Sequence, residues 1–397
     1  MKSHETQPLI DSQRLREKLS SLEAMQNPHN VIISCYLDTQ HGPQACHDFI
    51  AHQLEKPRHL AWCGIMGLPD LDRIKQDLES SINQNWHTQA KSLAIFACMG
   101  ESCTRVEILP LPVSIDNQLS IYSRANILPL LNLLHINENS TLLSFIDGVI
   151  QIFDRDLGVS RPIAWAVAPH LSNERYISDS SGNKGKPQNN LKNVCLSLLK
   201  SQKKPLIIAA DPVHVDTIKA WLPKKIAWHF KNNIVLPYNL GQSRFIRYIE
   251  EQFALQRQIE SQNLATRLIN SLRFKGPAIA GHVATLDALK FHQVDHLLVS
   301  KEYAHSMSRK CIHCGSFNQG SHSDKHCSHC GKNPVIPWNA VIEASWLASK
   351  KNIPISVVES DDLHYAGGIG CLLRHNHKAA VHPIQHPSQH RGLDLVA

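Results

Sequence analysis

Short, largely apolar runs alternate along this chain with segments whose apolar residues recur every three or four positions. VIISCYLD (31–38), SLAIFACM (92–99), KKPLIIAAD (203–211), VDHLLVS (294–300) and PISVVES (354–360) are the apolar runs. Leu15, Leu19 and Leu22, then Leu71, Ile74, Leu78 and Ile82, then Ile246, Ile249 and Phe253 mark the helical faces between them. A strand with no polar alternation is covered on both faces, and helices are what cover it. The pattern therefore predicts α/β sheets flanked by helices. At 397 residues the chain is too long for one ordinary core, so two or three domains are expected.

The first unit reads as a helix (SQRLREKLSSLEAM), the strand VIISCYLD and two helices around ACHDFIAHQLE and LPDLDRIKQDLESSIN. A strand pair, SLAIFACM and TRVEILPL, follows, and YSRANILPLLNLLHINENS closes the unit. The second unit opens on TLLSFIDGVIQIFDRD, where Asp147-Gly148 is a hairpin signal because both residues tolerate positive φ. The strand PIAWAVAPH comes next, then the polar stretch SDSSGNKGKPQNNLKNV, in which positions 178–190 carry no aliphatic or aromatic side chain. A helix follows with Leu191, Val194, Leu198 and Leu199 on one side, then KKPLIIAAD, the helix VHVDTIKAWL and the strand NNIVLPYN. A long helical stretch starting at SRFIRYIEE bridges to a third α/β unit and ends at Gly276-Pro277. The tail from His375 is rich in His, Pro and Gln and is expected to be mobile.

A hydrophobic fraction of 42% with mixed charge is that of a globular protein. The net charge of +7 suits a polyanionic partner without identifying one. The polar start MKSHETQPLIDSQ lacks the apolar core of a signal peptide, and no apolar run approaches the ~20 residues of a membrane helix. A cytoplasmic monomer with no membrane contact is the expectation. Seven of the 11 cysteines are scattered in apolar or mixed surroundings, which suits a reducing compartment and not a disulfide framework.

The other four cysteines form the clearest motif. Cys311, Cys314, Cys327 and Cys330 make a CxxC-x12-CxxC array. Each CxxC, with the glycine that follows it, can present two thiolates to a tetrahedral ion, and the intervening loop can bring the pairs together. One structural Zn2+ per chain is expected, because four thiolates leave no open position for chemistry. His313, His322, His326 and His329 lie beside the array as competing donors. Other constellations are thin. Asp147 and Asp154 are either paired carboxylates for a metal or a turn residue and a surface residue. The glycines of AGGIG (Gly367, Gly368, Gly370) resemble a phosphate loop only superficially, since no helix follows them. Cys98 and Cys103 read as packing thiols.

The C-terminal third carries GPAIAGHVATLDALKFHQVDHLLVSKEY, then the CxxC…CxxC insertion, then WLASKKNIPISVVESDDLHYAGGIGCLLRH. In this order it resembles the C-terminal domain of the archaeo-eukaryotic class-1 peptide chain release factors and their Pelota relatives, most specifically at Val294, Asp295, Leu297, Leu298 and from Gly367 to Arg374. Upstream, LREKLSSLEAMQNPHNVIISCYLD and SLAIFACMGESCTRVEILPLPVSI resemble the release-factor N-domain. The resemblance implies three domains: 1–137, release-factor-like; 138–257, a central RNase H-like α/β domain with an exposed loop at 178–193; and 258–397, an L7Ae-like α/β domain with a zinc minidomain at 308–335. It implies a tRNA-shaped protein that enters the ribosomal A site, with the ribosome, rRNA and peptidyl-tRNA as partners and a translational GTPase as a further one.

The family's central domain carries a Gly-Gly-Gln loop that promotes peptidyl-tRNA hydrolysis. This chain has no Gly-Gly-Gln. Its nearest equivalent is Gly185-Lys186-Pro187-Gln188. Gln188 keeps the backbone N–H that can stabilise a reacting oxygen, and Gly185 keeps backbone freedom. Pro187 fixes its own φ and drives Lys186 towards extended geometry. Gln188 and Gly185 are thus the candidate catalytic residues, and Lys184, Lys186 and Lys192 the candidate RNA contacts. The family's Asn-Ile-Lys-Ser and Tyr-x-Cys stop-codon patterns are absent; LEKPRHLAW and Phe96-Ala97-Cys98 stand in their places. The resemblance so implies a release or rescue factor that works without ordinary stop-codon decoding. A non-hydrolytic Pelota-like ribosome-binding factor, and an RNA-binding protein acting off the ribosome, are the alternatives.

Overall fold

The computed structural model describes residues 9–25, 31–56, 71–99, 105–137, 139–167, 204–222, 230–237, 240–303, 308–311, 313–314, 317–318, 326–327, 329–332 and 335–374. Among these residues it is a mixed α/β protein with four sheets.

The first unit begins with α1 (Ser12–Ala24), whose N-terminus is capped by Asp11 accepting from the Arg14 N–H. Strand β1 (Val31–Asp38) is central in an antiparallel sheet of order β3-β2-β1-β4, with β2 (Ser92–Met99), β3 (Val106–Leu111) and β4 (Gln118–Tyr122). Helices α2 (Pro43–Leu54) and α3 (Leu71–Gln84) cover one face, packing Ile50, Ile74 and Ile82 on Ile33, Cys35 and Leu37. Ile32, Tyr36 and Phe96 project to the other face, which receives α1 and α4 (Leu128–Ile136). Coverage on both faces is why β1 shows no polar alternation. Its two buried hydroxyls both meet Asn126: Ser34 accepts from the Asn126 N–H at 2.9 Å, and Tyr36 donates to the Asn126 carbonyl at 2.6 Å.

The central unit is a five-stranded sheet of order β7-β6-β5-β8-β9. Strands β5 (Ser140–Ile146), β6 (Val149–Asp156) and β7 (Val159–Val167) form an antiparallel meander. Strands β8 (Leu206–Ala210) and β9 (Phe230–Val235) add in parallel beyond β5. Three antiparallel strands followed by two parallel ones on the other side of the first is the RNase H-like arrangement expected. The β5–β6 turn is at Asp147-Gly148, with φ of 51° and 74°, as read from the sequence. The β6–β7 turn at Leu157-Gly158 was not. Leu157 sits at φ 47° and is fully buried, so burial of its side chain offsets a backbone conformation leucine avoids. Between β8 and β9, α5 (Pro212–Trp221) is capped by Asp211, which accepts from the His214 N–H, and covers one face through Val215 and Ile218.

Helix α6 (Gln242–Arg273) has 32 residues, so it is about 48 Å long. Its first half places Phe245, Ile249 and Phe253 on the second face of the central sheet. Its second half places Ala265 and Leu268 on the third unit, against Leu298 and Leu372. The sheet there has the order β10-β16-β11-β15, from β10 (Ala278–Ala280), β11 (Val294–Ser300), β15 (Ile355–Val358) and β16 (Ile369–Leu373). Helices α7 (His282–Lys290) and α8 (Ala340–Lys350) lie on the face opposite α6, and α9 (Asp361–Tyr365) packs Leu363 on the α6 side. The α7–α8 face is continuous with the core of the first unit. The buried Trp346 of α8 donates its indole N–H to the Ala125 carbonyl at 2.8 Å, and Arg124 pairs with Glu343 at 3.1 Å. Among the described residues no helix is long and apolar enough to cross a membrane.

Candidate functional site

The four cysteines converge. They sit in an insertion between β11 and α8, carried by a small antiparallel sheet of order β13-β12-β14: β12 (Ser308–Cys311), β13 (Phe317–Asn318) and β14 (Val335–Trp338). Cys311 ends the central strand, so the ladder fixes its Cα opposite Val335. The strand β14 runs into Asn339, which caps α8 by accepting from the Val341 and Ile342 N–H groups. The ribbon is therefore anchored to a rigid helix and not to a loop.

The Sγ atoms of Cys311, Cys314, Cys327 and Cys330 all lie within 4.8 Å of one another. Cys311 and Cys330 are 3.7 Å apart, and Cys314 and Cys327 are 3.6 Å apart. A tetrahedron with Zn–S bonds of about 2.3 Å has edges of about 3.8 Å, so these separations fit a zinc ion at the centre. The second CxxC is a tight turn. The Gly331 N–H donates to the Cys327 carbonyl at 2.8 Å, the Cys327 N–H to the Lys332 carbonyl at 3.0 Å, and the His329 N–H to Cys327 Sγ at 3.4 Å. Gly331 takes φ 71°, the left-handed turn that ends the motif. N–H groups aimed at sulfur stabilise thiolate over thiol.

The backbone N–H of Lys332 works to lower the Cys330 thiol. Desolvation and hydrogen bonding to Cys314, Cys311 and Cys327 outweigh it and push Cys330 up to about 11. Four neutral thiols at this spacing have no charge to hold them together; a bound dication would deprotonate them and supply it. Cys311 and Cys327 are buried, whereas His313, His326 and His329 are exposed, and among the described residues the converging group contains no histidine. The donor set is thus four sulfurs, closed to substrate.

The candidate catalytic loop is a different matter. Gln188 and Gly185, with Lys184, Lys186 and Lys192, lie outside the described residues, as does the helix read around Leu191 to Leu199. The strands on either side of it are described. β7 is an edge strand, and β8 pairs with β5 two strands inward. The connection from β7 to β8 therefore crosses about 14 Å, three strand spacings. Its 38 residues, 168–205, are several times what that crossing needs. The hypothetical pairing of Asp147 and Asp154 is not formed. Asp147 is in the turn and Asp154 is five residues along β6, roughly 17 Å away, where it pairs with Lys204 at 2.6 Å.

The glycines of AGGIG are structural. Gly367 and Gly368 take φ of 103° and 72°, and a Cβ on Gly368 would meet Tyr303 Cγ at 2.0 Å. Gly370 lies in β16 where a Cβ would be 2.9 Å from the Ile279 carbonyl. Phe96, Ala97 and Cys98 are buried in β2. Cys98 packs in the core of the first unit, its Sγ 3.9 Å from the Met25 carbonyl oxygen. Burial raises the thiols of Cys35 and Cys46, the latter to about 11, and that of Cys371 to about 12, as expected for packing cysteines. The sequence reading also passed over Arg155. Its position two residues after the inward-facing Phe153 was the available signal.

No protein-family model and no curated protein matches this chain. Solved structures do. The archaeal translation termination factor aRF1 aligns over 93% of this chain and 100% of its own, at 13% identity and a TM-score of 0.25. The C-terminal domain of a peptide chain release factor from Methanosarcina mazei aligns over 36% of this chain and 99% of its own, at 23% identity and a TM-score of 0.28. A ribosome-bound archaeal Pelota aligns over 90% of this chain and 94% of its own, at 12% identity and a TM-score of 0.37.

Proposed function

We propose that this chain is a divergent release-factor relative that occupies the ribosomal A site and acts in release or rescue without ordinary stop-codon decoding. The observation that carries the reading is a coincidence of sequence and topology. The polar stretch at 178–193 falls in the connection between β7 and β8 of an RNase H-like sheet, the position at which the resemblance expects the hydrolytic loop. The division into 1–137, 138–257 and 258–397 belongs to the same proposal, and so does a translational GTPase as partner.

In this reading Gln188 presents its backbone N–H to the oxygen that becomes negative as water attacks the peptidyl ester, and its side chain positions that water. Gly185 allows the close approach, and Lys184, Lys186 and Lys192 neutralise RNA phosphates. The zinc minidomain at 308–335 shapes the third unit and takes no part in the reaction. One feature favours the non-hydrolytic alternative: Pro187 stands where the family loop has its second glycine. The deciding measurement is release of labelled peptide from stalled ribosomes by wild type and by Gln188→Ala. Release by wild type that drops by a factor of ten or more in the variant supports hydrolysis. Ribosome binding without release supports occupancy alone. Failure to co-sediment with ribosomes removes the A-site reading altogether.

A further inference from the structure

A cavity of about 610 Å³ lies where the three units meet, within the range of small-molecule sites. The first unit contributes Arg16, the central sheet Arg155 and Lys231, and the middle of α6 Arg257, and Glu260 is the one carboxylate among the described lining residues. His296 and Ser356 of the third unit close it. Two of these residues flank or occupy irregularities in the ladders. Lys231 is the extra residue where Phe230 and Asn232 pair with consecutive residues of β8, and His296 follows the slip at Asp295. Bulges re-aim side chains, and both bulges here open on the same space.

Arg155 is the unusual member. It is 4% exposed, and its Nε has no hydrogen-bond partner. Among the described residues it makes no ion pair. Its guanidinium stacks on Phe253 at 3.6 Å, which offsets part of its desolvation. Burial, then the charge of Arg257, lower its pKa to about 10, and Glu250 works against that. It is therefore still a cation at neutral pH. A second guanidinium, Arg257, donates to the side-chain Oδ1 of Asn137 at 3.2 Å. A buried, unpaired cation is costly unless something of opposite charge completes it.

We infer that this cavity binds a small phosphate-bearing molecule of nucleotide size, with Arg155 and Arg257 on the phosphate. Planar guanidinium forks match phosphate oxygens, and Ser140, Asn232 and Gln256 line the remaining wall with neutral polar groups. An RNA backbone is the poorer fit, since it would have to reach a guanidinium that is almost wholly enclosed. The inference goes beyond the proposed function and is independent of it, because its test involves no ribosome.

The test is calorimetric titration of the full-length protein with pyrophosphate as the probe. Wild type is expected to bind one pyrophosphate per chain, with affinity at least tenfold weaker in both Arg155→Met and Arg257→Met. The unliganded Arg155→Met protein is expected to melt at or above the wild-type temperature, since an uncompensated buried charge has gone. A purely structural arginine would give a lower one. Should Arg155→Met fail to fold, the half-exposed Arg257→Met decides alone. No saturable binding, or pyrophosphate affinity unchanged in the variants, overturns the assignment. So does an RNA pentanucleotide that binds, and is lost in the variants, while pyrophosphate does not bind.

Discussion

Trp346→Ala should destabilise this protein by about 3–5 kcal/mol, the range for deleting a buried aromatic side chain. Trp346 is 1% exposed and sits on α8 of the third unit, yet its indole N–H donates to the Ala125 carbonyl of the first unit at 2.8 Å. Ala125 is itself fully buried, so the carbonyl has no water to turn to. Trp346→Phe separates the two contributions. It keeps most of the apolar contact and loses the donor, at a cost of about 1–3 kcal/mol for the orphaned carbonyl and about 1 kcal/mol for the missing ring volume. Urea denaturation followed by circular dichroism gives the totals. Hydrogen exchange resolved by peptide gives the location. Protection should fall together in peptides from 119–136 and from 340–358, because one core serves both units. A loss of less than 1 kcal/mol in the alanine variant would refute the shared core. So would loss of protection confined to the 340–358 peptides.

Gly368→Ala should cost about 2–5 kcal/mol, from left-handed backbone strain at φ 72° and the collision of a new Cβ with the Tyr303 ring. Adding Tyr303→Ala should relieve only the collision, so a thermal-shift cycle over the two positions shows strong coupling. Burial pushes the Glu107 carboxyl upward, but hydrogen bonds and charge from Lys18 and Arg105 prevail and hold it below its usual range. A depressed carboxylate contributes stability above its unfolded value near 4.5 and loses it as pH falls through the folded value. Glu107→Gln should therefore cost about 1 kcal/mol at pH 7, discounted for its half-exposed partners, and progressively less as pH falls below 4.5, as urea midpoints over an acid pH series would show. Purified protein should carry one zinc per chain by elemental analysis, and Cys311→Ser with Cys327→Ser should abolish it. Metal-free wild type would contradict the sulfur geometry.

Where local physics dictated structure, the sequence disclosed it. VIISCYLD, SLAIFACM and VDHLLVS match β1, β2 and β11 in full, because strands covered on both faces show as concentrated apolar runs. Asp147-Gly148 announced its turn by residue type, whereas Leu157-Gly158 did not, since a leucine enters the left-handed region only when its burial compensates. The cysteine array was legible because metal geometry is encoded in short spacing. The union of the first and third units was not: Ala125 and Trp346 are 221 positions apart, and no local pattern joins them. Arg155 was hidden for a related reason. Its sequence neighbourhood, Phe-Asp-Arg-Asp, reads as the frayed end of a strand, and only the approach of α6 encloses it.

That helix sets a phase relation between the units it joins. Phe253 docks on the central sheet and Leu264 packs beside the third, with ten residues between them. Each residue advances an α-helix by about 100° and 1.5 Å. A single insertion between these two positions would swing one unit a quarter-turn and more about the helix axis relative to the other, tearing Asn137 from Arg257. An insertion of seven would restore the angle to within about 20° but separate the units by about 10 Å. Insertions of other short lengths in this ten-residue stretch leave the two sheets facing in incompatible directions, so the spacing between Phe253 and Leu264 is fixed by rotation as much as by distance.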